Sequence, residues 1–144
     1  MKYLLILTFI FLGQFKVQAE TVQLKISNMN GEMGQLALAI YNNASSFPDD
    51  SKRAFATKFV AINTRLNSQV VTLDLPAGDY AIAIFLDKNK NGSLDKNLVG
   101  VPKERFGFSN NPTIRFGAPS FSECEFNVSE KKLNSHSINL IKFL

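Results

Sequence analysis

An all-β fold, an antiparallel β-sandwich of about seven strands with one long ordered loop, is predicted by three features of the sequence. Apolar residues alternate with polar or small ones in short runs, at Val22, Leu24 and Ile26 and again at Val71, Leu73 and Leu75. Clusters of Asn, Gly, Pro and Asp separate these runs at short intervals. No stretch beyond the amino-terminal segment reads as a long helix, which favours a sandwich over an α/β arrangement.

Residues 1–19 read as a secretory signal peptide. Lys2 precedes an apolar run from Tyr3 to Gly13 that is too short to span a bilayer, and Val17-Gln18-Ala19 supplies small residues before a cut after Ala19. No cysteine follows the run, so lipid attachment there is unsupported. Export to the periplasm or the extracellular space follows, with a single domain over residues 20–144 and no transmembrane segment after cleavage. Removing Lys2 and Lys16 leaves fourteen basic against twelve acidic residues, which takes the net charge from +4 to about +2. The remaining charges are spread along the chain, so neither nucleic acid nor an anionic membrane has a footprint in the sequence. Cys124 is the only cysteine, so the core must hold by packing without an internal disulfide.

Val22–Ile26 predicts a half-buried strand, Asn28–Gly34 a turn, and Leu36, Leu38 and Ile40, alternating with small residues, an antiparallel second strand. Asn42–Arg53 is a polar loop in which Phe47 of Phe47-Pro48 folds back as a lid on the core. Ala54–Ile62 fits a strand or a short helical turn, the strand being favoured. After Val71–Leu75, Pro76-Ala77-Gly78-Asp79 makes a tight turn, and Tyr80–Leu86, apolar on both faces, is a central strand covered on both sides.

That strand runs into Asp87-Lys88-Asn89-Lys90-Asn91-Gly92-Ser93-Leu94-Asp95, which concentrates oxygen-bearing side chains at regular spacing. D-x-N-x-N-G-x-x-D matches nine positions of a calcium loop, with Asp87, Asn89, Asn91 and Asp95 as side-chain ligands, Ser93 offering its carbonyl and Gly92 at the sharp bend. Leu98 stands where the helical version has a bidentate glutamate, and Lys88, Lys90 and Lys96 offset the two carboxylates. Any affinity for calcium is therefore weak, on the order of 10⁻⁴ to 10⁻³ M. The alternative is a turn in which Asx side chains bond their own backbone and no ion is needed.

Leu98–Ser120 has no sustained periodicity and is longer than most connections, which marks an ordered functional loop. Phe106, Phe108 and Phe116 are its expected apolar anchors, Glu104 reaches back to complete the Asp87 loop or pairs with Lys103 or Arg105, and Arg115 anchors the loop or meets an anionic ligand. Phe106, Phe108 and Arg115 form the expected recognition loop. Phe121–Val128 alternates as a strand with Cys124, Phe126 and Val128 on one face, Cys124 acting as a buried small hydrophobe. A last strand carries Ile138, Leu140 and Phe143 or its neighbours.

Asp79–Asp95, followed by G-x-P-x-E-x-x-G-F-S-N from Gly100 to Asn110, resembles a family of exported bacterial proteins known as a domain of unknown function. The resemblance covers nearly the whole chain after the signal peptide and implies a small sandwich and export, with no established activity. Leu75-Pro76-Ala77-Gly78-Asp79-Tyr80 also resembles the L-P-x-G-x-Y element of transthyretin-like and carboxypeptidase-regulatory-like sandwiches, within a broadly immunoglobulin-like architecture. These often serve as accessory or adhesion modules.

A noncatalytic binding or structural module of the envelope, meeting an envelope protein or extracellular ligand, is the expected function. A metal-assisted hydrolase with Glu104 or Asp95 as general base is an alternative, but His136 is the lone histidine and no G-x-S-x-G element is present. A carrier with an apolar cavity between the sheets is another. N-x-S sequences begin at Asn43, Asn91 and Asn127 and read as chance.

Overall fold

A computed structural model describes residues 18–130 and 132–143, so nearly all of the expected signal peptide lies outside the described residues. Eight strands are described: β1 (Ala19–Ser27), β2 (Gly34–Tyr41), β3 (Ala56–Ile62), β4 (Ser68–Pro76), β5 (Gly78–Asp87), β6 (Phe106–Phe108), β7 (Phe126–Val128) and β8 (Asn134–Asn139). They form two sheets. One has the order β4-β1-β8, antiparallel between β1 and β4 and parallel between β1 and β8. The other runs β3-β2-β5, and the far edge of β5 is shared by β6 and β7.

Alternation gives each strand one face for the core. Val22, Leu24 and Ile26 of β1 and Val71, Leu73 and Leu75 of β4 are buried while the residues between them are largely exposed. Leu36, Leu38 and Ile40 of β2 and Tyr80, Ile82, Ile84 and Leu86 of β5 meet them from the opposite sheet. Each such side chain, fully buried, contributes roughly 1.5–3 kcal/mol by leaving water. Cys124 is buried as expected, and burial, aided by the charge of Glu123, pushes its thiol up to about 12.

Two expected hairpins are corners between sheets. β1 and β2 do not pair, because the connection 28–33 crosses the end of the sandwich with Met29 buried and the amides of Met29 and Gly31 donating to Asn67 and Leu66 carbonyls. The Leu75–Tyr80 element likewise passes from β4 to β5 in the other sheet, and the Tyr80 hydroxyl donates back to the Pro76 carbonyl (3.0 Å). The segment expected to be one strand from Phe121 to Val128 is divided. Phe121–Cys124 is a helical turn (α1) that starts at Ser120, whose amide donates to Glu123 (2.8 Å), and only Phe126–Val128 is strand. Phe47 does fold back, but onto Tyr41, Phe108 and Phe121 outside the core rather than over it.

The long loop is ordered and contains β6. Phe106 is buried and Phe108 half-buried, but Phe116 is 97% exposed and is not an anchor, since it lies outside the strand that pairs Phe106 and Phe108 with β5. No described helix is long and apolar enough to cross a membrane.

Two glycines set close approaches. A Cβ on Gly34 (φ +141°) would overlap the Asp87 carbonyl oxygen, and one on Gly107 would lie 2.9 Å from Ile138 Cγ2 across the sandwich. Gly34→Ala is expected to cost about 3 kcal/mol or more and Gly107→Ala about 1–3 kcal/mol in denaturant unfolding, because the first obstacle is backbone and the second a side chain that can shift.

Candidate functional site

The Asp87 loop is organised by two buried carboxylates. Asp87, 0% exposed at the end of β5, accepts bonds from the amides of Asn91 (3.2 Å) and Gly92 (2.8 Å) and from Gln35 Nε2 (2.8 Å) on β2. Burial raises its pKa, but the bonds from Gln35 and from the Gly92, Asn91 and Lys90 amides together outweigh it, so the group lies below its usual 3.8. Glu104, 3% exposed, accepts from the Lys88 amide (2.8 Å) with Oε1 and the Asp95 amide (3.1 Å) with Oε2. Glu104 thus reaches back to the loop as the sequence suggests. Its neighbour Arg105 turns instead to Glu32 (3.3 Å), where Lys88 Nζ also lies 3.7 Å away.

The Asx residues complete the loop. Asn89 Oδ1 accepts from the Asn91 amide and Asn91 Oδ1 from the Ser93 amide, while their Nδ2 groups donate to the two oxygens of Asp95 (2.7 and 3.0 Å). Gly92 takes the left-handed conformation (φ +77°) required at the bend. Among the described residues no three His, Cys, Asp or Glu side chains group as a metal cluster. Asp87 Oδ1 and the Asn89, Asn91 and Asp95 oxygens each take one protein bond, which leaves lone pairs for a weakly held hard cation beside the brace.

This loop forms one end of a groove of about 890 Å³ on the outer face of the β3-β2-β5-β6 sheet. Strand register builds it in rows. Thr57, Ala39, Ala83 and Phe108 stand side by side across four strands, and Phe59, Ala37, Phe85 and Phe106 form the next row. Alanines and Phe85 make the floor, with Phe59 on β3 and Phe108 on β6 to either side. Gln35 and Asp87 occupy the row after that, so the buried carboxylate sits at the end of the floor, and Gly92, Ser93 and Leu94 rise from it as a wall. At the far end the Tyr41 hydroxyl donates to the Pro48 carbonyl (2.7 Å), and burial, with Asp49 and Asp50 nearby, pushes it up to about 12.

G-F-S-N-N ties the other wall to the fold. Phe108 faces the groove, and buried Ser109 receives the Ile82 amide (2.9 Å) while its hydroxyl donates to the Cys124 carbonyl. Asn110 donates to the Glu125 carbonyl (2.6 Å), and Asn111 exchanges bonds with Ser137 and Asn139 (2.9 and 2.7 Å). Of the expected recognition residues, Phe106 is buried beneath Phe143 (centroids 5.4 Å apart), Phe108 lines the groove, and Arg115 is exposed at its rim. Ala37, Ala39, Ala83, Phe59 and Phe85 were not expected as site residues. Their signal is the small residues that alternate with the core positions of β2 and β5. His136 is the third residue of β8, half-buried against Phe126 (4.3 Å between centroids), and burial holds it below 6.5.

The described strands form an all-β sandwich that carries this groove on the outer face of one sheet. The chain belongs to a bacterial family whose model matches residues 24–136 and is described as an uncharacterized protein conserved in bacteria, DUF2141. No curated protein and no solved structure matches it.

Asp87→Ala removes the shared acceptor of Gln35 and the loop amides at a buried position and is expected to lower stability by roughly 2–4 kcal/mol in urea unfolding. Both depressed groups make stability fall with acid. His136 contributes fully above pH 6.5 and its share is lost as pH drops through its folded value; Asp87 contributes fully above pH 3.8 and is lost below it. Unfolding midpoints measured against pH should therefore fall in two stages, and His136→Gln should flatten the upper one.

Proposed function

We propose that this chain is a noncatalytic, exported binding module of the bacterial cell envelope whose recognition surface is the groove on the outer sheet face. The observation that carries this reading is the groove itself: a floor of alanines and Phe85 with Phe59 and Phe108 to either side, and an end wall held in one shape by buried carboxylates. Its volume falls within the ~300–1,000 Å³ of small-molecule sites, and its lining is chiefly apolar with a few polar groups, as such sites require. Glu104 spends both oxygens on backbone amides and Asp95 both on Asn side chains, which supports a positioning use of these carboxylates over proton transfer.

Calcium, held by Asp87, Asn89, Asn91, the Ser93 carbonyl and Asp95 with Glu104 behind them, would stiffen the end wall without creating it. The brace is satisfied by protein donors alone, which supports weak binding at most.

Thermal unfolding of the purified protein in chelator and then in millimolar calcium tests the ion. At ten times Kd the gain is RT ln 11, about 1.4 kcal/mol or a rise of roughly 5 °C. Asp95→Ala, which spares the buried Asp87, should abolish that rise. An unchanged midpoint in calcium would remove the ion from the proposal and leave the loop as a hydrogen-bonded wall.

A further inference from the structure

We infer that the groove holds the alkyl chain of an anionic amphiphile, a long-chain carboxylate being the simplest, an assignment that rests on the binding-module reading above. The floor decides first. The ladders pair β2 with β3 and β5, and β5 with β6, so the backbone beneath Ala37, Ala39 and Ala83 is committed to neighbouring strands. A peptide laid along this floor would leave its own amides without partners, at about 1–3 kcal/mol for each one cut off from water. An alkyl chain has no such groups to lose. The methyls of Ala37, Ala39 and Ala83 with the rings of Phe59, Phe85 and Phe108 offer it apolar contact.

The charges decide the head group. Lys52, Lys96 and Arg115 line the groove against one carboxylate, Asp49. None of the three basic groups is in an ion pair among the described residues, whereas Arg53, Lys88 and Arg105 all are. With Lys96 beside the Asp87-loop end and Lys52 beside the Tyr41–Pro48 end, a ligand that is apolar along its length with a negative head group meets a cation at either end of the slot.

The loops around the slot suit delivery of such a ligand. Leu98 and Val99 project from the loop that carries Lys96, and Phe116 follows Arg115, all three at least 82% exposed. Apolar tips beside cations are the composition of a surface that rests against lipid or an amphiphile aggregate. Amphiphiles leaving such an aggregate would pass these tips on entering the slot.

Displacement titration of the purified protein tests the assignment, with a fluorescent polyene fatty acid as reporter and hexadecanoate, hexadecanol and a blocked apolar peptide as competitors. Saturable reporter binding reversed by hexadecanoate is expected, with hexadecanol weaker by about tenfold. Ala39→Phe and Ala83→Phe each fill the floor from a different strand and should weaken hexadecanoate by about tenfold or more. Their unfolding midpoints show that they are folded. Lys52→Gln, Lys96→Gln and Arg115→Gln combined should bring hexadecanoate down to the level of hexadecanol. Equal affinity for acid and alcohol in the unaltered protein overturns the head-group assignment, and hexadecanoate binding untouched by either floor variant overturns the site. Binding of the peptide alone, lost in Ala39→Phe, overturns the alkyl ligand but leaves the binding module standing. Binding of none of the four probes overturns both.

Discussion

The carboxylates of Asp87 and Glu104 are both cut off from water, and the connection between β5 and β6 takes its shape from the donors they must find. An ionised group in such a position is tolerated only when hydrogen bonds replace its hydration. For Asp87 the donors come from β2 and from the turn at Asn91-Gly92; for Glu104 they come from both ends of the loop, at Lys88 and Asp95. Satisfying them draws residue 104 up against residue 88. β6 then begins only two residues later, alongside β5, with the Leu86 amide donating to the Arg105 carbonyl (2.8 Å) as the first rung. The wall of the groove is in this sense an outcome of charge burial.

The inner and outer faces of the β3-β2-β5 sheet answer to different demands. Inward, Leu, Ile and Tyr fill the space against the other sheet, and the apolar area they bury stabilises the fold. Outward, the same two central strands carry Ala37, Ala39 and Ala83 between Tyr41 and Phe85, and the small side chains leave a concavity of about 890 Å³. Larger apolar side chains there would close the sheet face and add stability. The open slot is a cost the fold bears.

Much of this was legible in the sequence where one physical rule dominated. Alternation located β1, β2 and β4, two-sided apolarity marked β5 as central, and the Asp/Asn/Gly spacing placed the loop with Gly92 at its bend. Glu104 was linked to that loop because a carboxylate was missing from it. What failed was long-range. Whether β1 pairs with β2 or crosses to the other sheet depends on Met29 being buried and on Asn67 receiving it, and nothing local to residues 28–33 reveals either. Phe116 looked like Phe106 and Phe108 by composition, yet only the latter two fall on a strand that pairs with β5. Lys52, Lys96 and Arg115 looked scattered because only the fold brings all three to the lining of one groove.

β6 has only three residues and so little ladder of its own, yet it supplies both Phe106 and Phe108 to the groove face. A strand this short is marginal unless other bonds hold it. Ser109 extends its pairing with Ile82 by side chain and main chain and ties it to α1, Asn110 ties it to the residue before β7, and Asn111 ties it to β8 in the opposite sheet. Glu104 fixes its other end. Both ends of the wall are thereby anchored to elements that belong to the core, while the side chains between them remain free to face a ligand. A wall built in this way is held in one geometry by its bonds to the core elements.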